Sequence, residues 1–352
     1  MAAKKKSPRA VKKKAKTKAQ SSPRKRVAVT GQSLRLAAKQ ADLLVRRTTE
    51  ANVEKATELE VARIDRQEAD RALGAFYAEE ARRDGRTFYN FLAQGDSWFD
   101  YTCGYALIHW LKGLFKPENA YFDNIAASGR TLRQMLSREF KEHLAAGPPN
   151  GQPWNGVLLS GGGNDICGVP HFRDWLKPYD GGIPRPEYYI TTDFDHELSI
   201  LEGIYEEAID LVGKFTHGAK LFAHDYDFAI PDNRCVTGRS PHLRRDFHFC
   251  FAGPWLWPYF EERGFHQPGD PVPQLTKDII TAMLKRFSAM LESLERRYPD
   301  RFCLVRTQGV LTPIQSMKLW VNELHPYDDS FKVLAQSFYD KLHSHVSTWR
   351  AG

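Results

Sequence analysis

Ser97 is the first residue whose type and position predict covalent chemistry. It follows the apolar, aromatic run Phe88–Ala93 after the short turn Gly95-Asp96. The run predicts a buried strand because it is rich in aromatic residues and too short for a helix. A serine at the carboxyl end of a parallel strand lies where α/β folds place catalytic groups, which predicts a nucleophile. The alternative is an N-cap serine that begins the following segment, since Ser and Asp are preferred at that position.

Two glycine-containing turns supply candidate donors to a negatively charged group. Gly129 follows the predicted strand Tyr121–Ile125, and a glycine there lets a backbone N–H approach a ligand closely. Gly161–Gly163 follow the apolar run Val157–Ser160 and lead to Asn164, whose side-chain amide can donate to an oxyanion. The alternative is an ordinary glycine-rich turn in which Asn164 adopts the left-handed (αL) backbone conformation. The run has neither the ending of a P-loop nor the spacing of a dinucleotide fingerprint, so it does not predict phosphate binding.

His325 is the candidate general base, because an imidazole titrates near neutrality and can accept a serine proton. It precedes Pro326, shortly before the predicted C-terminal helix. An isolated histidine beside a proline is, alternatively, a loop residue. Asp96 and Asp165 could join His325 in a metal site, but metal-dependent phosphoesterases need more Asp and His ligands than these. We therefore expect neither a metal nor another cofactor.

Taken in sequence order, the four stretches resemble blocks I, II, III and V of the GDSL, or SGNH, hydrolases. The resemblance covers about residues 88–352 and has no counterpart in residues 1–85. It implies a serine hydrolase that cleaves a carboxylic ester through an acyl-enzyme on Ser97, with His325 as base. It also implies an oxyanion hole formed by the N–H groups of Ser97 and Gly129 and the side chain of Asn164. The matching segments are Gly95-Asp96-Ser97, Gly129, Gly163-Asn164-Asp165 and His325-Pro326.

One position departs from the family pattern. Asn322 stands three residues before His325, where the family usually has an aspartate. An asparagine cannot offset the imidazolium charge and can favour the wrong tautomer, and in a serine protease this exchange lowers the rate by about 10⁴. Three outcomes remain open. Asn322 or a backbone carbonyl orients His325 in a Ser–His dyad, Glu323 or Asp328 supplies a carboxylate, or the enzyme is slow or inactive.

The N-terminal segment differs in composition from the rest of the chain. Residues 1–26 contain twelve Lys or Arg and no acidic residue, so that, of the net charge of +7, the remaining residues carry −5. Such a segment cannot bury enough apolar surface to fold, which predicts a disordered, Lys/Arg-rich tail over residues 1–32. Residues 1–26 can bind polyanions non-specifically through phosphate contacts, or serve only as a solubilising tail.

Residues 33–85 predict a long charged helix. They are rich in Ala, Leu, Glu, Arg and Lys and contain no proline, with Ser33 as N-cap and Gly85 as stop signal. The favoured interpretation is a coiled-coil arm that makes a homo-oligomer, and the alternative is a helical hairpin packed on the body. A second functional hypothesis follows, in which a catalytically weakened hydrolase fold is a binding or scaffold module that acts through its tail and this helix.

Residues 86–352 alternate short apolar runs with amphipathic segments. Strands separated by helices predict a parallel sheet that is covered on both faces, in a three-layer, flavodoxin-like doubly wound α/β domain. The predicted strands are Phe88–Ala93, Tyr121–Ile125, Val157–Ser160, Lys220–His224 and Phe302–Arg306, and the predicted helices are Tyr105–Leu114, Thr131–Ala145, His196–Phe215, Leu275–Tyr298 and Ser330–Thr348.

Two irregular segments, Cys167–Phe194 and Tyr226–Pro273, interrupt this alternation and are rich in Pro, Gly and aromatic residues. Long irregular connections in a compact domain are usually lids or binding loops, so we expect their aromatic residues to line an apolar substrate pocket. The alternative is a second small core beneath the loops.

The five cysteines are odd in number, widely spread and without a Cys-x-x-Cys pair. This spacing argues against a disulfide framework and favours a reducing compartment. The charged N-terminus is not followed by the apolar run of a secretory signal, and no apolar stretch approaches the length that spans a membrane. The sequence therefore predicts a soluble, cytoplasmic protein.

Overall fold

The computed structural model describes residues 58, 61–101, 104–167, 171–181, 183–216, 218–237, 250–267 and 269–350. One compact unit runs from Leu59 to Gly352 and contains every element given below. The basic tail, its polyanion binding and the first part of the predicted long helix lie outside the described residues and stay predictions.

Five parallel strands form the central sheet, and the strands predicted from sequence are confirmed to within two residues at each end. In chain order the strands are β1 (Tyr89–Gly95), β2 (Ala120–Asn124), β3 (Gly156–Ser160), β4 (Lys220–His224), β5 (Val236–Thr237), β6 (Cys250–Ala252) and β7 (Phe302–Val305). The sheet order is β2-β1-β3-β4-β7, and β5 and β6 form a separate antiparallel pair. The chain turns outward in both directions from β1 and β3, so the crevice beyond their carboxyl ends is the topological switch point where α/β folds bind ligands.

Helices cover both faces of the sheet, which confirms the predicted three-layer α/β architecture. α2 packs on α9, whereas α4 and α8 pack against α6. Between the layers, the rings of Phe91 and Phe122 stack at 5.0 Å in the core. The helices are α1 (residues 61–83), α2 (Leu107–Leu114), α3 (Leu132–Met135), α4 (Arg138–Ala146), α5 (Gly163–Cys167), α6 (Thr192–Phe215), α7 (Trp257–Glu262), α8 (Gln274–Arg297) and α9 (Asp328–Arg350).

The single helix predicted over Thr131–Ala145 is wrong, because two helices, α3 and α4, occupy this segment. Ser137 between them has an extended backbone, and its hydroxyl accepts the N–H of Phe140. A serine side chain that caps the first turn of α4 begins a new helix there instead of continuing the old one.

α1 is the described part of the predicted long helix. Ala78 and Ala81 on this helix form a small apolar cluster with Phe88 and Tyr121 of the sheet region. Gly74 lies against the ring of Tyr121, where a β-carbon would come within 2.3 Å of it. Residues 61–83 therefore contact the α/β body, while the coiled coil and the homo-oligomer stay predictions.

Cys235 is disulfide-bonded, a bond that the number and spacing of the cysteines did not indicate. Among the described residues, Cys167 and Cys303 are free thiols. No helix in the described part of the chain is both long and apolar enough to cross a membrane. The cytoplasmic location stays a prediction.

Candidate active site

Ser97 lies in the turn that follows β1, and its neighbour Asp96 closes that turn through two hydrogen bonds. The Asp96 carboxylate accepts the N–H of Trp98 at 3.0 Å, and the Asp96 carbonyl accepts the N–H of Phe99. A β-carbon at Gly95 would lie 2.8 Å from the side chain of Ser160 on β3, so only glycine fits there. Residues 96–100 form a turn and the next helix begins only at Leu107, so Ser97 does not take the N-cap role that was the alternative.

His325 approaches Ser97 from a tight turn near the C-terminus. The Ser97 Oγ and the His325 Nε2 are 2.6 Å apart. An antiparallel bridge between Trp320 and Pro326 closes the turn, and its Leu324 carbonyl accepts the indole N–H of Trp98 at 3.1 Å. The structure thus joins two residues that are 228 positions apart in the chain.

Asn322 contacts the other ring nitrogen of His325. The distance from its Oδ1 to Nδ1 is 2.9 Å, and the same oxygen accepts the backbone N–H groups of Leu324 and His325. Two backbone donors identify this atom as the amide oxygen, because an NH₂ group could not accept from them. Nδ1 therefore carries the hydrogen and donates it, which leaves Nε2 as acceptor for the Ser97 hydroxyl. This is the tautomer that a general base needs.

Glu323 and Asp328, the two alternative carboxylates, are used elsewhere. Glu323 accepts backbone N–H groups from Asn233, Trp255, Leu256 and Trp257, so it anchors the second irregular segment. Burial nevertheless raises the pKa of Glu323 to about 7. Asp328 accepts the N–H of Tyr105 at 3.1 Å. Of the three outcomes left open by the sequence, the geometry matches the first, in which Asn322 orients His325.

Burial lowers the pKa of His325 to about 3. The groups in contact with the ring are the Ser97 hydroxyl, the Asn322 amide, and the rings of Tyr101 and Trp255. None of these groups carries a negative charge at neutral pH to favour the imidazolium. The ring is therefore a neutral acceptor throughout the ordinary pH range, although it is a weak base.

Asn164 and Gly129, the other predicted oxyanion donors, are placed differently. Asn164 lines the same cavity as Ser97, and one hydrogen of its amide is donated to the carbonyl of Arg130 at 2.9 Å. Nδ2 has a second hydrogen, which is the one available to a ligand. Gly129 has a φ of +81° in the turn before α3, and it is not among the cavity-lining residues described.

A cavity of about 40 Å³ lies beside Ser97. The first irregular segment contributes only its first residue, Cys167, which ends α5, and the second contributes Tyr226, Asp227 and Ala229. The exposed wall is mainly apolar, and Tyr226 is the aromatic side chain that these segments add to it. The role of the segments as substrate loops stays a prediction. The lining residues are Asp96, Ser97, Trp98, Gly163, Asn164, Cys167, Tyr226, Asp227, Ala229, Leu284, Leu324 and His325.

A second serine–histidine pair, which the sequence analysis missed, lies behind the first. The Ser160 Oγ is 2.8 Å from His224 Nε2 and donates to the Asp96 carboxylate at 2.8 Å. The other oxygen of Asp96 accepts the hydroxyl of Tyr226 at 2.7 Å. Burial raises the pKa of Asp96 to about 6, although these bonds oppose the shift. Ser160 and His224 are the last residues of β3 and β4, and that edge position is the sequence signal that could have identified them.

No cluster of three or more metal-ligating side chains occurs in the part of the chain that the structure describes. Asp96 and Asp165 do not converge with His325 on one centre, since Asp96 contacts Ser160 and Tyr226 and Asp165 accepts the N–H of Leu132.

No protein-family model matches this chain, and no curated protein matches it in sequence. Similar solved structures include an acetylxylan esterase from Geobacillus stearothermophilus, at 16% identity and a TM-score of 0.40 over 73% of this chain and 95% of that one. A phospholipase A1 from Streptomyces albidoflavus has 11% identity and a TM-score of 0.42, over 74% of this chain and all of that one. A member of the lipolytic G-D-S-L family from Veillonella parvula has 11% identity and a TM-score of 0.39, over 72% and 97%. Since these scores are low, the function of this chain has to be derived from its own site.

Proposed function

We propose that this protein is a serine hydrolase that cleaves a carboxylic ester through an acyl-enzyme on Ser97. The observation that carries the proposal is the 2.6 Å contact between Ser97 Oγ and His325 Nε2. It lies at the switch point of the sheet, with Nδ1 held by Asn322 at 2.9 Å. A nucleophile within hydrogen-bond reach of a base that is itself oriented by a third group is the usual arrangement for covalent acyl transfer.

In the proposed reaction, Ser97 Oγ attacks the ester carbonyl carbon while its proton moves to His325 Nε2. The tetrahedral oxyanion is held by the N–H group of Ser97 and by the second amide hydrogen of Asn164. The family resemblance adds the N–H group of Gly129, which has to move towards the cavity to reach the oxyanion because Gly129 is not among its lining residues. His325 then gives the proton to the leaving alkoxide, and the acyl group stays on Ser97. Water, deprotonated by the same nitrogen, attacks the acyl-enzyme and releases the carboxylic acid. Each donor of this kind contributes roughly 3–4 kcal/mol to the transition state.

Asn322 is compatible with this reaction but limits it. Its oxygen fixes the Nδ1–H tautomer, which is the orienting half of what an aspartate does. It does not offset the charge of the imidazolium that forms during attack. A correctly oriented but weak base predicts measurable, slow turnover rather than none.

The test compares Ser97→Ala with the wild type on 4-nitrophenyl acetate, a short activated ester. We expect turnover to fall by at least about 10³-fold, as for other serine hydrolases that lose the nucleophile. A fluorophosphonate should label the wild type at Ser97 and leave Ser97→Ala unlabelled.

Ser199→Ala is the matched control, because Ser199 is exposed on α6 and bonds only the Asp195 carbonyl of its own helix. It should keep wild-type turnover and labelling. Retained turnover in Ser97→Ala, or labelling of the wild type at another serine, contradicts the proposal.

A further inference from the structure

Tyr101 packs flat against the imidazole of His325. The two ring centroids are 4.4 Å apart and their planes differ by 18°. The phenol is largely buried, with 7% of its surface exposed, and it lies four residues after Ser97 on the same connection leaving β1. Nothing in the sequence blocks pointed to this residue.

The hydroxyl of Tyr101 also contacts the group that orients the base. The Asn322 Nδ2 donates to it at 3.1 Å. With the N–H groups of Leu324 and His325 on Oδ1, this bond fixes the amide plane of Asn322 at both ends. One tyrosine side chain therefore touches both the base and the residue that sets its tautomer.

Within the described part of the chain, no carboxylate contacts the imidazole ring of His325. Glu323 and Asp328 are bonded to backbone N–H groups of other segments. Two further carboxylates line the cavity, but Asp96 accepts from Ser160 and Tyr226, and Asp227 accepts the backbone N–H groups of Phe228, Gly309 and Leu311. Trp255 makes a T-shaped contact with the imidazole at 5.7 Å between centroids, whereas Tyr101 lies nearly parallel to the ring and is closer, at 4.4 Å.

We propose that Tyr101 is a positioning residue that takes over part of the role of the missing aspartate. Its ring face stabilises the imidazolium of His325, and its hydroxyl holds Asn322 in the orientation that keeps Nε2 available to Ser97. The physical basis is the attraction between a cation and the negative face of an aromatic ring, which strengthens when both groups are desolvated. This inference rests on the proposed ester hydrolysis.

The main experiment measures kcat and KM of the full chain with 4-nitrophenyl acetate for Tyr101→Phe and Tyr101→Met. Phe keeps the ring face and loses the hydroxyl, whereas Met fills the space without a ring. We expect kcat to fall about 10-fold in Tyr101→Met and about 3-fold in Tyr101→Phe, with KM nearly unchanged, because the ring acts on the cation that exists only during reaction. Equal kcat values for the two variants would mean that the ring face of Tyr101 contributes nothing to the reaction, and would overturn the proposal.

A second measurement avoids any packing defect. Phenylalanine carrying one to three ring fluorines is incorporated at position 101, which withdraws electron density from the ring face at nearly constant shape. The expected result is a stepwise decrease of kcat with fluorine number. A flat series overturns the role of the ring even if Tyr101→Met fails to fold.

The control is Tyr179→Met, which removes a ring that stacks on Tyr189 at 6.1 Å in the first irregular segment, away from His325. It should leave kcat unchanged. If turnover and fluorophosphonate labelling depend on Ser97 while the Tyr101 series is flat, this inference fails and the proposed function stands. If the wild type shows no Ser97-dependent turnover, the proposed function itself fails.

Discussion

The two serine–histidine pairs lie close together at the carboxyl edge of one sheet and have nearly the same geometry. Ser97 and His325 are 2.6 Å apart, and Ser160 and His224 are 2.8 Å apart. Burial lowers the pKa of both histidines to about 3. The pairs differ in exposure, since Ser97 and His325 keep 8% and 5% of their surface at the cavity while Ser160 and His224 keep none.

The direction of the proton also differs between the pairs. His224 Nδ1 accepts the backbone N–H of Tyr226 at 3.3 Å, so its hydrogen is on Nε2 and is donated to Ser160. Ser160 in turn donates its own hydrogen to the Asp96 carboxylate. In the other pair, His325 Nδ1–H donates a hydrogen bond to the Asn322 Oδ1. Nε2 carries no hydrogen and accepts the hydroxyl of Ser97. A short Ser–His distance therefore does not by itself make the serine a nucleophile. The serine must also have access to the cavity, and the ring nitrogen that does not contact the serine must carry the hydrogen.

The largest expected effect separates the two histidines. His325→Gln should lower turnover of 4-nitrophenyl acetate by about 10³-fold or more, because it removes the base. His224→Gln should keep kcat within about threefold of the wild type, since an amide N–H can still donate to Ser160. It should instead lower the free energy of unfolding by about 1–3 kcal/mol, as the ring packs between Trp98 and Phe99.

The free energy of unfolding in urea is measured for both variants together with their kinetics, so that a loss of turnover can be distinguished from a loss of stability. A loss of turnover in His224→Gln as large as in His325→Gln, with its folded state intact, would show that the inner pair takes part in chemistry.

The next prediction tests how much Asn322, in place of an aspartate, lowers the reaction rate. Asn322→Asp would place a carboxylate against His325 Nδ1, raise the pKa of the ring and offset the imidazolium charge. The second oxygen of the new carboxylate would face the Tyr101 hydroxyl, which accepts from the Asn322 amide in the wild type. We expect kcat at neutral pH to rise about 10-fold or more, and the acid limb of the pH profile to move to higher pH.

Gln152→Glu, at an exposed position in the loop after α4, makes the same change from amide to carboxylate and should change neither quantity. A decrease in kcat for Asn322→Asp would mean that this site uses the amide itself, which contradicts the argument from missing charge.

The features that follow from local pattern were predictable from the sequence. The five strands are short apolar runs, and three candidate site residues follow strand ends because parallel strands end at one edge. The orientation of Asn322 was not predictable, since it depends on two backbone N–H groups in a turn whose conformation no periodicity fixes. The contact of Asn322 with Tyr101 spans 221 positions and has no local signal.

Composition misled in two other places. Glu323 lies two residues before His325 in the sequence and was a candidate partner for it. In the structure, the Glu323 carboxylate instead accepts four backbone N–H groups of a segment that is distant in sequence. Cys235 is bonded in a disulfide, whereas the number and spacing of the cysteines indicated a reducing compartment and no disulfide framework. Both outcomes are set by which distant segments meet, and residue type does not encode this.

The smallest expected effect is one in which the two pairs should behave alike. The folded pKa values of His224 and His325 lie near 3, below the value of about 6.5 for an unfolded histidine. Between these values the unfolded state binds more protons, so each histidine lowers the stability of the fold as the pH falls from about 6.5 towards 3. Asp96 and Glu323 have raised pKa values and oppose this trend, because their folded forms bind protons more readily.

The measurement is the free energy of unfolding in urea between pH 6 and pH 4.5 for the wild type, His224→Gln and His325→Gln. The carboxyl contributions are common to all three proteins, so they cancel in the differences. In each variant, the slope of the free energy of unfolding against pH should be smaller than in the wild type by up to about 1.4 kcal/mol per pH unit, which corresponds to the binding of one proton. Equal changes in the two variants, together with unequal kinetics, would show that burial acts on both rings alike and that only the distal partner and the cavity distinguish them. If either variant has the same slope as the wild type, the histidine that was replaced has the same pKa in the folded and unfolded states. That ring would then be less buried than in the structure.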